Sequence, residues 1–71
     1  MDKYLVRNVF TMKLNNLLDA YHIPGSALAK HLKISNQHMS SIRLGKQSPN
    51  LAVLVGVADF FNTTVDYLLR K

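Results

Sequence analysis

"SALAKHLKISNQHMSSIRLGK", residues 26–46, is the stretch whose reading decides the fold. In its first part, Leu28, Ala29 and Leu32 fall on one face of a helix, while Lys30, His31 and the following Lys33 fall on the other. In its second part, Ile34, Met39 and Ile42 point one way. Asn36, Gln37, Ser40, Ser41 and Leu44 share the opposite face at i, i+1, i+4, i+5 and i+8 spacing. Ser35 is suited as an N-cap, because its hydroxyl can accept from a backbone N–H of the next turn. Gly45 supplies a left-handed stop at the far end. Two short amphipathic helices joined by a tight turn are therefore expected here.

Working outward, Phe10, Leu14, Leu17, Leu18 and Tyr21 recur at helical spacing and predict a helix that ends near His22, ahead of Pro24. Pro49 and Asn50 open another helix, with Leu51, Leu54, Val57, Ala58 and Phe61 at core spacing and Asn62 as its left-handed stop. Thr64 caps a last short helix, "VDYLL", with Asp66 near its positive end. Residues 1–11 read either as an arm or as an extension of the first helix, since Tyr4, Val6, Val9 and Phe10 favour strand while Val6, Phe10 and Leu14 continue the helical stripe. They look added to a unit of residues 12–71, and their apolar content suggests that they pack on something. The expectation is all-α, a compact bundle of about five short helices.

The bulk numbers fit that size. At 71 residues the chain is long enough for one domain and near the lower limit for a self-sufficient core. With no cysteine, neither disulfides nor thiolate metal sites can supplement the core, which fits a reducing cytoplasm. Hydrophobic residues make up 48% and charged residues 18%, too apolar a balance for disorder. The longest apolar run, "LAVLVGVA" at residues 51–58, falls well short of the roughly 20 residues that span a bilayer, so no membrane segment is expected.

Net charge is +5, and the four acids, Asp2, Asp19, Asp59 and Asp66, leave the section from Ala20 to Ala58 without negative charge. Lys30, Lys33, Arg43 and Lys46 lie inside that section. Such one-signed concentration suits a polyanion, although a merely solvated basic face would look the same.

The outward face of the second motif helix is nearly uncharged. Asn and Gln amides present a donor beside an acceptor, which matches adenine N6 and N7 in the major groove, and Ser hydroxyls serve either role. Cations stand at the margins: Lys33 before the helix, Arg43 and Lys46 at its end. Phosphate contacts position a helix and base contacts specify sequence, so the division of labour fits duplex DNA. The plain alternative is that these side chains only solvate a surface helix.

The organisation from Lys13 to Leu69 resembles the phage-repressor and Cro type of helix-turn-helix domain, also called the XRE family, with its lambda-repressor-like DNA-binding fold. The resemblance rests on "ALAKHLKIS" for the first motif helix and turn, "NQHMSSIRLGKQSP" for the recognition helix and loop, and "LAVLVGVADFFNTTVDYLL" for the closing helices. It implies base contacts at Asn36, Gln37 and Ser41, with Ser40 beside them. Phosphate contacts would fall on Lys33, Arg43, Lys46 and Gln47, and a two-fold dimer contact near Tyr67. Sequence-specific transcriptional regulation of an operator, in the manner of a phage lysogeny switch, is the function so implied, in the cytoplasm and with no cofactor.

Three positions depart from the family. Gly25 stands where it usually has a Gln that touches phosphate. Lys33 stands where the turn often has Gly, so a residue with a Cβ has to take the left-handed conformation. Arg43 replaces a common acid whose basic partner is matched by Leu18, which leaves Arg43 expected to be free for phosphate or for an acidic protein. In addition, Ala52, Val53, Val55, Gly56, Asp59 and Phe60 make the expected outer face of the closing helix unusually apolar. Two explanations remain open: the N-terminal segment covers that face, or Val53, Val55, Phe60 and Tyr67 form a protein interface. The latter supports a second reading, an antirepressor or protein-binding modulator that docks on another helix-turn-helix regulator. Catalysis is not expected: His22, His31 and His38 lack metal-ligand spacing, and no serine sits in a nucleophile motif.

Overall fold

The computed structural model describes residues 3–70, with side chains from Val9 onward. Five helices follow one another: α1 (Lys3–Ala20), α2 (Gly25–Leu32), α3 (Asn36–Arg43), α4 (Leu51–Phe60) and α5 (Val65–Leu69). There is no strand among the described residues. Helix accounts for 69% of the chain, gathered into a small all-α bundle.

Side-chain oxygens start three of these helices. Ser35 accepts from the His38 N–H at 3.0 Å, Asn50 from that of Val53 at 2.8 Å, and Thr64 from that of Tyr67 at 3.0 Å. Each satisfies a donor that the helix cannot satisfy internally. Four helices end in one way, with a left-handed residue followed by an N–H that reaches five residues back: Ile23 to the Leu18 carbonyl, Ile34 to Ala29, Lys46 to Ser41 and Thr63 to Ala58. The left-handed residues are His22, Lys33, Gly45 and Asn62, with φ of 55°, 59°, 75° and 54°. Only Gly45 lacks a Cβ, so the Lys33 turn carries the strain expected of it, on the order of 1 kcal/mol.

α1 is unbroken from Lys3 across residues 11 and 12, so the helical extension, not the arm, describes residues 3–11. The Tyr4 and Val6 side chains lie outside the described residues. Val9 and Phe10 are buried, and α1 packs on α3 and α5.

The core gathers Phe10, Leu14 and Leu18 from α1, Leu28 and Ala29 from α2, Met39 and Ile42 from α3, Val53, Val57 and Ala58 from α4, and Leu68 from α5. Four expected placements are corrected. Tyr21, past the end of α1, is exposed, with its ring tilted 34° to that of Phe61 and the centroids 5.8 Å apart. Leu51 is 71% exposed because it is the first residue of α4 and precedes the turn that meets the core. Val53, expected on the outer face, is 3% exposed. Apart from Asp59, α4 carries no charged or polar side chain, so its sequence could not fix its rotation, and the face through Val53, Val57 and Ala58 turns inward. Gly56, also expected outward, faces α2, where the Leu32 side chain occupies the space a Cβ would need.

Candidate nucleic-acid interface

α2 and α3 are each eight residues long, joined by Lys33, Ile34 and Ser35. Ala29 is buried where they meet, and its small side chain lets them approach. Leu28, Ala29, Met39 and Ile42 lie in one cluster with Ile34 against it, which fixes which side of α3 turns outward. Asn36, Gln37 and Ser40 are exposed on that side, while Ser41 is half-buried. Leu44 continues the row and is 65% exposed. Lys33 before the helix, and Lys46 and Gln47 after it, are exposed as well.

The far end of α3 is tied down from α1. A helix leaves its last carbonyls without internal partners, and here two side chains one turn apart on α1 supply donors. Thr11 donates its hydroxyl to the Ile42 carbonyl at 3.1 Å, and Asn15 donates its amide Nδ2 to the Arg43 carbonyl at 2.9 Å. The sequence reading missed both residues. Their signal was a pair of polar residues at i, i+4 directly beside the apolar stripe of Phe10, Leu14 and Leu18, where a solvated face had no need of them.

Arg43 is not free, contrary to expectation. It is half-buried, and its Nε donates to Asn15 Oδ1 at 2.8 Å, so Asn15 holds both its backbone and its side chain. The expectation compared Arg43 with Leu18, the position matching the family's basic partner, and the residue that does hold Arg43, Asn15, lies one turn earlier on α1. The guanidinium lies over Gly25: a Cβ built there would stand 2.9 Å from Nη1 and 3.3 Å from Cδ. Gly25 and Arg43, two separate departures in the sequence, thus form one arrangement in space. A groove of about 460 Å³ opens beside it, walled by Pro24, Gly25 and Ser26 on one side and Asn36, Ser40 and Arg43 on the other.

The residues singled out as a protein interface do not stay together. Val53 is core; Phe60 is half-buried between the rings of His31 and Phe61, each 4.9 Å away. Val55 is 51% exposed, one turn from Leu51, so this strip of α4 is not covered by α1. Tyr67 is exposed on α5, with the Lys13 ammonium 4.1 Å above its ring. No group of three or more metal-ligating side chains forms among the described residues.

No helix among the described residues is long and apolar enough to cross a membrane. No protein-family model, curated protein or solved structure matches the chain.

Proposed function

We propose that the protein is a sequence-specific DNA-binding transcriptional regulator of the phage-repressor and Cro type, acting in the cytoplasm on a duplex operator. The observation that carries this reading is the outer face of α3, where amide and hydroxyl side chains stand exposed on a helix whose inner face and far end are fixed. A rigid helix bearing Asn36, Gln37 and Ser40 can meet base edges, with the hydroxyl of half-buried Ser41 at its margin. Lys33 and Lys46 at its two ends would hold backbone phosphates, with Gln47 beside Lys46. A net charge of +5 supplies the sequence-independent attraction that brings the chain onto DNA.

Selection from a random duplex pool, followed by gel-shift titration, tests the reading. An enriched motif bound below micromolar concentration at moderate salt is expected. Gln37→Ala should cost about 1 to 3 kcal/mol on that motif and relax choice at one base pair, whereas Lys46→Ala should weaken all sequences alike and lower the salt slope by about one. Failure to enrich any motif would sink the proposal.

A second reading, a modulator or antirepressor that docks on another regulator, draws support from the exposed Leu51 and Val55, one turn apart on α4. Under it, Val55→Asp removes partner capture and leaves DNA affinity unchanged.

A further inference from the structure

Arg43 differs from the other cations around α3 in being held. Lys33 and Lys46 are exposed side chains, and neither makes a hydrogen bond or ion pair through its side chain among the described residues. In Arg43, by contrast, Nε is committed to Asn15 Oδ1, the main-chain carbonyl is committed to Asn15 Nδ2, and the stem runs over the bare Cα of Gly25. The terminal nitrogens have no hydrogen-bond partner among the described residues. The guanidinium also forms no salt bridge there, where the one ion pair is Asp66 with Arg70. An arginine normally loses much rotamer freedom when it grips an anion. One already fixed at Nε loses less, and its planar fork presents the outer edge for two parallel bonds to one oxyanion.

The groove beside that edge is shared with Asn36 and Ser40 of the outer face of α3, so whatever lies along the face passes the guanidinium. A second depression is lined by Arg43 together with Asp19, His22 and Pro24. Asp19 lines that depression and not the groove shared with Asn36 and Ser40.

We propose that Asn15 and Gly25 are positioning residues that hold Arg43 as a fixed clamp for one backbone phosphate of duplex DNA. The proposal rests on the DNA-binding reading above and sharpens it. It assigns Gly25 a role that depends on having no side chain, since even a methyl group there displaces the guanidinium. It also assigns Asn15, a neutral residue on a helix outside the recognition surface, an effect on the salt dependence of binding.

The test uses the full chain and a random-sequence duplex, on which phosphate contacts operate without any operator being known. Affinity is measured across salt concentrations, with circular dichroism to show each variant folded. Arg43→Gln is expected to lower the slope of log K against log salt by about one. Asn15→Ala and Gly25→Ala should lower it by a similar amount although neither removes a charge, and neither should lower it further in the Arg43→Gln background. Gly25→Ala guards against an unfolded Asn15→Ala, because it sits at the start of a helix and needs only the far end of a flexible side chain to move.

If Arg43→Gln leaves the slope at the wild-type value, the clamp is overturned while the DNA-binding reading stands. If Arg43→Gln lowers the slope and the folded Gly25→Ala chain does not, Arg43 is an unguided cation and the positioning role is overturned. A wild-type chain that binds no duplex removes the DNA-binding reading and this proposal with it.

Discussion

α3 and α4 are neighbours in sequence and similar in length, yet one is polar outside and the other, Asp59 apart, apolar on both sides. In α3, Met39 and Ile42 are buried while Asn36, Gln37 and Ser40 are exposed, so residue type and position agree. In α4, buried Val53, Val57 and Ala58 and exposed Leu51, Ala52 and Val55 are of one chemical kind. Burying Val53 and leaving Val55 in water is decided by how α4 fits against α2 and α5, where Gly56 admits Leu32. A clean polar face on one helix and an apolar strip on the other also divide the two functional readings: the first suits bases, the second a protein.

The sharpest way to break this comparison is to charge α4 at adjacent odd positions. Val53→Asp should cost more than about 3 kcal/mol, since it puts an unpaired carboxylate into the core. Val55→Asp should cost less than about 0.5 kcal/mol, as an exposed substitution does. Urea midpoints measure both. Similar losses at the two positions would show that α4 is rotated from the phase described.

How much the sequence revealed follows the same contrast. Helix ends were legible, because caps and stops are local chemistry: Ser35, Asn50, Thr64, Gly45 and Asn62 all act as their residue types suggest. The two faces of α3 were legible because its apolar positions are few. The rotation of α4 was not, since periodicity carries little phase when Asp59 is the one charged residue of the helix. Nor could the Asn15, Gly25 and Arg43 arrangement be read, because it joins three helices at sequence separations that no local pattern spans. Arg43 looked unpaired only because its partner, Asn15, is neutral.

A sharper comparison removes the caps of the two helices in parallel. Ser35→Ala and Asn50→Ala each leave one N–H unsatisfied and should each cost about 1 kcal/mol of folding stability. Their effects on binding should differ. Ser35→Ala loosens the first turn of α3, where Asn36 and Gln37 stand, and should weaken motif binding beyond its effect on folding. Asn50→Ala should leave binding by the folded fraction unchanged. Thermal unfolding beside gel-shift titration gives both quantities, and equal binding losses would show that α3 is not the reading helix.

The smallest effect concerns the turns that frame the two helices, Lys33 before α3 and Asn62 after α4, both left-handed at φ of 59° and 54°. Asn tolerates that conformation through its short polar side chain, whereas Lys has no such compensation. Relieving a left-handed Lys is worth about 1 to 2 kcal/mol, and the extra freedom of an unfolded Gly takes back about 0.5 to 1, so Lys33→Gly should gain up to about 1.5 kcal/mol. Asn62→Gly should gain only a few tenths. Lys33→Gly also deletes a proposed phosphate contact, so its salt slope on duplex DNA should fall by about one while its unfolding midpoint rises. A strained lysine kept where glycine folds better is what a backbone-contacting residue requires. A Lys33→Gly chain that is more stable and binds DNA with an unchanged slope would leave that strain without a functional reason.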